Sequence, residues 1–281
     1  MATTTTTTAL KLFPELWSSG FLYETSEEEV IDRLFARPQG ARKIGQQLHI
    51  PKVKRIAATG GSSYSTGLTY TANTEGEVTV DPVEYYAAVE VARSVYRRMD
   101  TSPESVYRKM LLAGCAEFRD QEAAELATGL TTNQKGGAQS SLDYGLIADA
   151  AQALVVSSKS AFKVGVTPWN LVIHPTQYKN LLSILTLIAD YIRGDGEKPV
   201  QSGWVVRALN ARLNESGNIY QANGITHNMG FLDDAFVAAD NEEPTVLDPQ
   251  PVELVVRIIA AGESGWSEQF DEYAVDVMTA A

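Results

Sequence analysis

The chain has 281 residues, of which 44% are hydrophobic, and a formal net charge of −12 at pH 7. Such a chain can bury roughly three quarters of its unfolded surface in one large domain or two modest ones, which excludes wholesale disorder. The acidic balance argues against a general nucleic-acid binder, and the single cysteine, Cys115, excludes an internal disulfide and a cysteine-based zinc site.

The opening MATTTTTTALKLF has no basic segment followed by an apolar core, so no secretory signal is expected, and residues 1–25 read as an arm. No stretch reaches the roughly 18 apolar residues of a membrane span; LLSILTLIADYI is too short, and a soluble intracellular protein without membrane contact is expected. SEEEVIDRLFAR (26–37) reads as a short helix capped by Ser26 and closed by Pro38. In KIGQQLHIPKVKRI, Leu48, Ile50, Val53 and Ile56 suggest a strand. Residues 57–76 are small, polar or β-prone, and EVTVDPVEYY follows with Val78 and Val80 alternating. Two strands joined by that pliable stretch make a long hairpin with little apolar material of its own. An isolated hairpin is marginal in water, so this one is expected to lie on a neighbouring molecule.

VEYYAAVEVARSVYRRM reads as helical. TSPESVYRKMLLAGCAEFRDQEAAELATG is the clearest helix, with Thr101 or Ser102 as N-cap, Pro103 in its first position, Glu104 completing a capping box and Gly129 at its end. From Pro103 to Thr128 it would run roughly 39 Å. The polar link TTNQKGGAQSS (131–141) marks a domain boundary, and LDYGLIADAAQALVVSS is a further helix. TPWNLVI reads as a buried strand that turns into a helix at His174 and Pro175, with Tyr178, Leu181, Leu182, Leu185, Ile188 and Ile192 on one face. WVVRAL, FVAAD, VELVVRIIAAG and FDEYAVDVMTA supply short strands. Helices and strands mix without regular alternation, so the class is α+β.

Charge is unevenly distributed. From Gly230 onward there are 12 acids against one base, Arg257, so this tail carries −11 of the −12. Conversely Arg42, Lys43, Lys52, Lys54 and Arg55 are clustered without an acid. Both stretches can be solvated faces. The alternative is a basic element of one subunit meeting an acidic surface of another. On that reading the five bases, with Tyr64 and Tyr70 of the hairpin, are the candidate subunit-interface residues.

A search for chemistry is unrewarding. There is no phosphate-binding Gly-Lys-Ser/Thr, GGSSYSTG lacks the lysine, and at Gly60 a nucleophile elbow fails because Tyr64 stands where glycine is needed. His49, His174 and His227 form no H-x-x-x-H pair. His174 reads as a strand-to-helix corner residue, with a catalytic role in an intracellular hydrolase as the rival. Cys115 reads as a small core residue, and Asp233–Asp234 as a solvated loop instead of a cation site. No enzyme activity, cofactor or metal is expected.

The order of parts resembles a tailed-bacteriophage major capsid protein of the Hong Kong 97-type fold. GQQLHIPKVKRI and EVTVDPVEYYAAVEVA flank the hairpin, SPESVYRKMLLAGCAEF resembles the spine helix, and LVIHPTQYKNLL with HNMGFLDDAFVAAD resembles the axial domain. The resemblance implies an arm and short helix (1–40), an extended hairpin loop (41–85), a peripheral domain with the spine helix (86–135), an axial domain (136–250) and C-terminal strands (251–281) returning to the peripheral domain. It implies hexamers and pentamers closing into an icosahedral shell around double-stranded DNA, assembled in the host cytoplasm and ending in the virion. Partners implied are many copies of the chain, a separate scaffolding protein, a portal, and decoration proteins. Some relatives lose a long N-terminal segment or cross-link through Lys and Asn, and nothing in these residues carries either feature over. An encapsulin-type nanocompartment shell resembles the same fold and is the nearer alternative.

Overall fold

The computed structural model describes residues 29–38, 47–53, 75–97, 103–159, 161–163, 166–178, 180–181, 207–208 and 210–281. It begins with a one-turn helix, α1 (Ile31–Leu34). The strands β1 (Leu48–Val53) and β2 (Glu75–Val80) pair antiparallel from Leu48 opposite Val80 to Val53 opposite Glu75, the two-stranded hairpin expected from their alternation. Then come β3 (Val83–Ala92), α2 (Arg93–Tyr96) and the long helix α3 (Pro103–Glu125), which tightens into a 3-10 turn at Leu126–Gly129. β4 (Gln134–Gly136), α4 (Tyr144–Ser158) and β5 (Trp169–Ile173) follow, with a helical turn at 175–178. The remainder is almost wholly β: β6 (Arg207–Ala208), β7 (Ala211–Glu215), β8 (Gln221–Ala222), β9 (Ile225–Phe231), β10 (Phe236–Val246), β11 (Gln250–Val252), β12 (Val255–Glu268) and β13 (Ala274–Ala280).

Three sequence expectations are corrected. VEYYAAVEVA is a strand, not a helix, because β12 offers it a ten-residue antiparallel partner from Val255 opposite Ala92 to Ser264 opposite Val83. Its alternating Val83, Tyr85, Ala87, Val89 and Val91 was the legible period-2 signal, overridden in the reading by helix-favouring Glu, Ala and Arg. The helix expected over 26–37 shrinks to Ile31–Leu34, since Phe35 is already extended and Ala36 bridges Val237 of β10; Ser26 lies outside the described residues. The late strands are not uniformly short either. β12 runs 14 residues because it is paired on both edges, by β3 on one and by β10 and β11 on the other.

Two sheets result. The four-stranded sheet of β3, β12, β10 and β11 carries α3: Leu111 and Cys115 pack on Tyr85, Val91, Ile258 and Ala260. The Cys115 thiol is buried against the Ala260 carbonyl, and burial pushes its pKa up, as befits a core residue. Opposite Tyr85 in the ladder stands Gly262, and a side chain there would meet the tyrosine hydroxyl at 2.7 Å. The ring thus lies over a glycine on its way to Phe118 of α3, 5.6 Å away between ring centroids.

The seven-stranded sheet runs β4-β13-β9-β5-β7-β6, with β8 added on β9. Asp143 caps α4 through the Leu146 N–H, and Ile147, Ala150, Ala151 and Leu154 of that helix cover one face of the sheet at Trp169, Leu171, Ile173, Val275 and Val277. The opposite face, at Val172, Met229, Phe231 and Ala274, meets α1, the end of α3 and β10. Both faces being covered, all five residues of β5 are buried, which accounts for the apolar run Leu171–Ile173; the one polar residue, Asn170, is buried as well. Asn223 and Gly224, both with positive φ, close the β8–β9 hairpin as a two-residue turn requires. The C-terminal residues divide between the sheets: β12 lies under α3, whereas β13 lies in the other sheet, between the edge strand β4 and β9. Among the described residues no helix is long and apolar enough to cross a membrane.

Candidate functional site

The hairpin root is the element that the sequence singled out for contact with other molecules. Directly paired residues of an antiparallel ladder share a face, so Leu48, Ile50 and Lys52 lie beside Val80, Val78 and Gly76. Leu48 and Ile50 pack with Val80 onto Val237 and Ala239 of β10, so the root finds apolar cover within its own chain. The expectation that the hairpin lies on a neighbouring molecule rests mainly on residues 57–74, which lie outside the described residues. On the same face Lys52 donates from Nζ to the Gln269 carbonyl at 2.8 Å and sits 4.3 Å from the Phe270 ring centroid. Glu268 next to it has a raised pKa, chiefly from burial and then from Asp271 and Glu272, with Lys52 opposing. Of the seven candidate interface residues only Lys52 is described, and it is engaged by its own chain's acidic tail. Arg42, Lys43, Lys54, Arg55, Tyr64 and Tyr70 lie outside the described residues.

Behind the root lies a buried charge cluster that the sequence reading did not single out. Asp120 of α3 is fully buried, and its Oδ1 accepts from the backbone N–H of Val30, Ile31 and Asp32 at 3.0, 2.5 and 3.0 Å. Its Oδ2 accepts from Ser216 Oγ at 3.0 Å and Asn218 Nδ2 at 3.1 Å. One carboxylate therefore joins α3, the first turn of α1 and the loop after β7. Its neighbour Arg119 donates to Asp32 at 2.7 Å and to Asp240 of β10 at 2.9 Å, and pairs with Glu29 at 3.3 Å. Arg37 bridges the same two aspartates, and Trp266 Nε1 donates to Asp32. Burial, and then a hydrogen bond with Asp32, raise the Glu29 pKa against the pull of Arg119. The cluster ties residues 29–38 across the long helix and onto β10, beside a stack of Phe35 on Phe236 (4.9 Å) with Phe231 edge-on to both. A signal was available: Arg119 and Asp120 fall at helical spacing within the stripe of Leu111, Cys115, Ala123, Ala124 and Ala127, where charges are rarely left unpaired.

The candidate catalytic histidine is used structurally. The His174 backbone N–H donates to Asn228 Oδ1 at 3.1 Å, and its carbonyl accepts from Gln177 and Tyr178 at 2.9 and 3.3 Å. Its Nδ1 accepts from the Thr176 N–H at 3.3 Å and contacts Thr176 Oγ1 at 2.8 Å, the arrangement of a helix cap. Leu181 of the expected helical face is fully buried, while Leu182, Leu185, Ile188 and Ile192 lie outside the described residues. His174→Ala is expected to cost about 1 kcal/mol, lowering the thermal midpoint by about 2–4 °C. A calorimetric drop several times larger would show that the ring holds more than this turn. Elsewhere, His227 Nδ1 contacts Asp276 Oδ2 at 2.8 Å and links β9 to β13; burial raises the Asp276 pKa and His227 opposes it. At the Asp233–Asp234 loop, Asp233 accepts from Asn170 Nδ2 at 3.1 Å.

No protein-family model matches the chain, and no curated protein matches it. Solved structures do, end to end. A chain of Mycobacterium phage Che8 superposes with a TM-score of 0.74 at 20% identity, covering 95% of this chain and 96% of its own. The capsid of cyanophage P-SCSP1u gives 0.69 at 15% identity (96% and 94% covered), and that of Ralstonia phage GP4 gives 0.67 at 13% (95% and 96%). The chain has the Hong Kong 97-type capsid fold. Within that fold α3 is the spine helix. Shared capsid architecture at such low identity means that the fold is specified by packing and topology and tolerates wholesale replacement of side chains.

Proposed function

We propose that this chain is the major capsid protein of a tailed phage or a phage-like particle. Copies assemble through hexamers and pentamers into an icosahedral shell that encloses double-stranded DNA. The observation that carries this reading is the coincidence of the fold, over 95% of one chain and 96% of the other, with capsid-type chains. Two properties of this chain support it. A two-stranded hairpin rooted on the body, with residues 54–74 of the sequence between its strands, suits an element that reaches a neighbour. A net charge of −12 suits a container wall that packed DNA slides past without sticking. Each intersubunit contact can be weak, because a closed shell makes many at once. A scaffolding protein, a portal and decoration proteins belong to the same reading as partners of assembly. The role is structural and not enzymatic.

Negative-stain microscopy of the purified full-length protein, alone and with a co-expressed scaffolding protein, tests the proposal. Shells or capsomer rings are expected, with nucleic acid in shells isolated from infected cells. A uniform small monomer under every condition would overturn it, and shells filled with a protein cargo would redirect it to a nanocompartment. The basic residues outside the root give a sharper check on how subunits meet. Reversing Arg42, Lys43, Lys54 and Arg55 to Glu is expected to leave circular dichroism and thermal midpoint near wild type while abolishing shells. Normal shells from that variant would refute docking of this basic segment on an acidic neighbour.

A further inference from the structure

The hairpin face that carries Leu48 and Ile50 ends, at its last described inward position, on a cation. Leu48 and Ile50 are held by apolar packing on β10, four and two pairs further in than Lys52. Lys52 then reaches out to a carbonyl and an aromatic ring at the join between β12 and the 3-10 turn Asp271–Tyr273. Gly76 stands opposite Lys52 in the ladder. The landing point is rigid. Phe270 stacks on Tyr273 at 4.8 Å, and the Gln269 and Phe270 N–H groups both donate to the Ala235 carbonyl. Asp271 is fixed in turn by the backbone N–H and hydroxyl groups of Thr131 and Thr132.

We infer that Lys52 is a releasable latch, a positioning residue that sets the angle at which the hairpin leaves the body. One hydrogen bond and one ring contact at a half-buried lysine are individually weak, so the latch opens and recloses without unfolding the body. Once it opens, the ribbon beyond Ile50 is an unsupported two-stranded hairpin and its ladder is marginal. The consequence for shells rests on the capsid reading above: a fixed take-off angle gives every subunit the same reach to its neighbour, and a freed one does not.

Hydrogen exchange on the full chain tests the latch directly. Lys52→Met keeps most of the stem and removes the charge. It is expected to speed exchange of amides in 48–53 and 75–80 about tenfold while leaving α3 at wild-type rates. Lys52→Arg, which restores a cation over the ring, is expected to return the hairpin to near wild-type protection. Unchanged hairpin exchange in Lys52→Met would overturn the latch, as would equal acceleration in α3, which would indicate general destabilisation. In the assembly arm, Lys52→Met is expected to give particles of mixed size. Uniform wild-type shells from a variant with accelerated hairpin exchange would overturn the control of angle. If wild type itself forms no shells, the capsid reading falls, and the exchange comparison still decides the latch.

Discussion

Asp120→Ala is expected to lower the unfolding free energy by about 3–5 kcal/mol, the cost of breaking a buried charged network from one side. The carboxylate accepts five hydrogen bonds from three separate parts of the chain, and the substitution leaves all five donors without it in a site closed to water. Three of those donors are the first N–H groups of α1, which has no side-chain cap of its own. A one-turn helix has no intrinsic stability, so α1 exists because Asp120 supplies the cap from a distance. Urea unfolding should show a lower midpoint with little change in slope, and trypsin should cut at Arg33 or Arg37 well before the rest of the fold opens. Asp120→Asn should cost less, since one amide oxygen can still serve the three N–H groups. A loss below about 1 kcal/mol for the alanine variant would mean that the strap is held chiefly by its phenylalanine stack.

Gly265→Val is expected to cost about 2–3 kcal/mol through overpacking. The corner between β2 and β3 crosses β12 at this residue, and even a single added carbon would lie 2.4 Å from the Asp81 carbonyl oxygen and 2.9 Å from Val80 Cγ1. The backbone oxygen cannot rotate aside as a side chain could, so the corner itself must lift. That movement carries Val80 away from Val237 and Ala239 and loosens the hairpin root with it. The expected signature is a lower thermal midpoint together with faster amide exchange at Leu48 and Ile50. Gly262, three residues earlier, offers an internal comparison. There the obstacle is the end of the Tyr85 side chain, with a carbonyl slightly further off at 3.1 Å, so Gly262→Ala should be tolerated better than Gly265→Ala. Equal stability of Gly265→Val and wild type would show that the crossing is looser than these distances.

The regular parts of the chain were legible residue by residue because local signals and tertiary environment agree there. Pro103 opening α3, Asp143 capping α4, the alternation at Leu48–Ile50 and Val78–Val80, and the apolar run of β5 each name their own element. His174 beside Pro175 was legible as a corner for the same reason. Val83–Ala92 was misread because its residues are acceptable in either state, and only a partner 170 residues away in sequence decides between them. The pairing within the buried cluster was invisible for a related reason. The stripe position of Arg119 and Asp120 signals burial but not partners, and Asp32, Ser216 and Asp240 look like ordinary surface residues until the fold brings them together. Lys52 shows the same division within one basic segment. Its charge and its inward parity on the strand follow from the sequence, but its landing on Gln269 and Phe270 depends on where β12 ends. What the sequence alone determined, then, is the list and order of elements and the location of charge, since period, caps and composition act over a few residues. Which strand pairs with which, which acids are buried with which bases, and where the hairpin is held were decided only by tertiary structure, because those contacts join residues that no short-range signal connects.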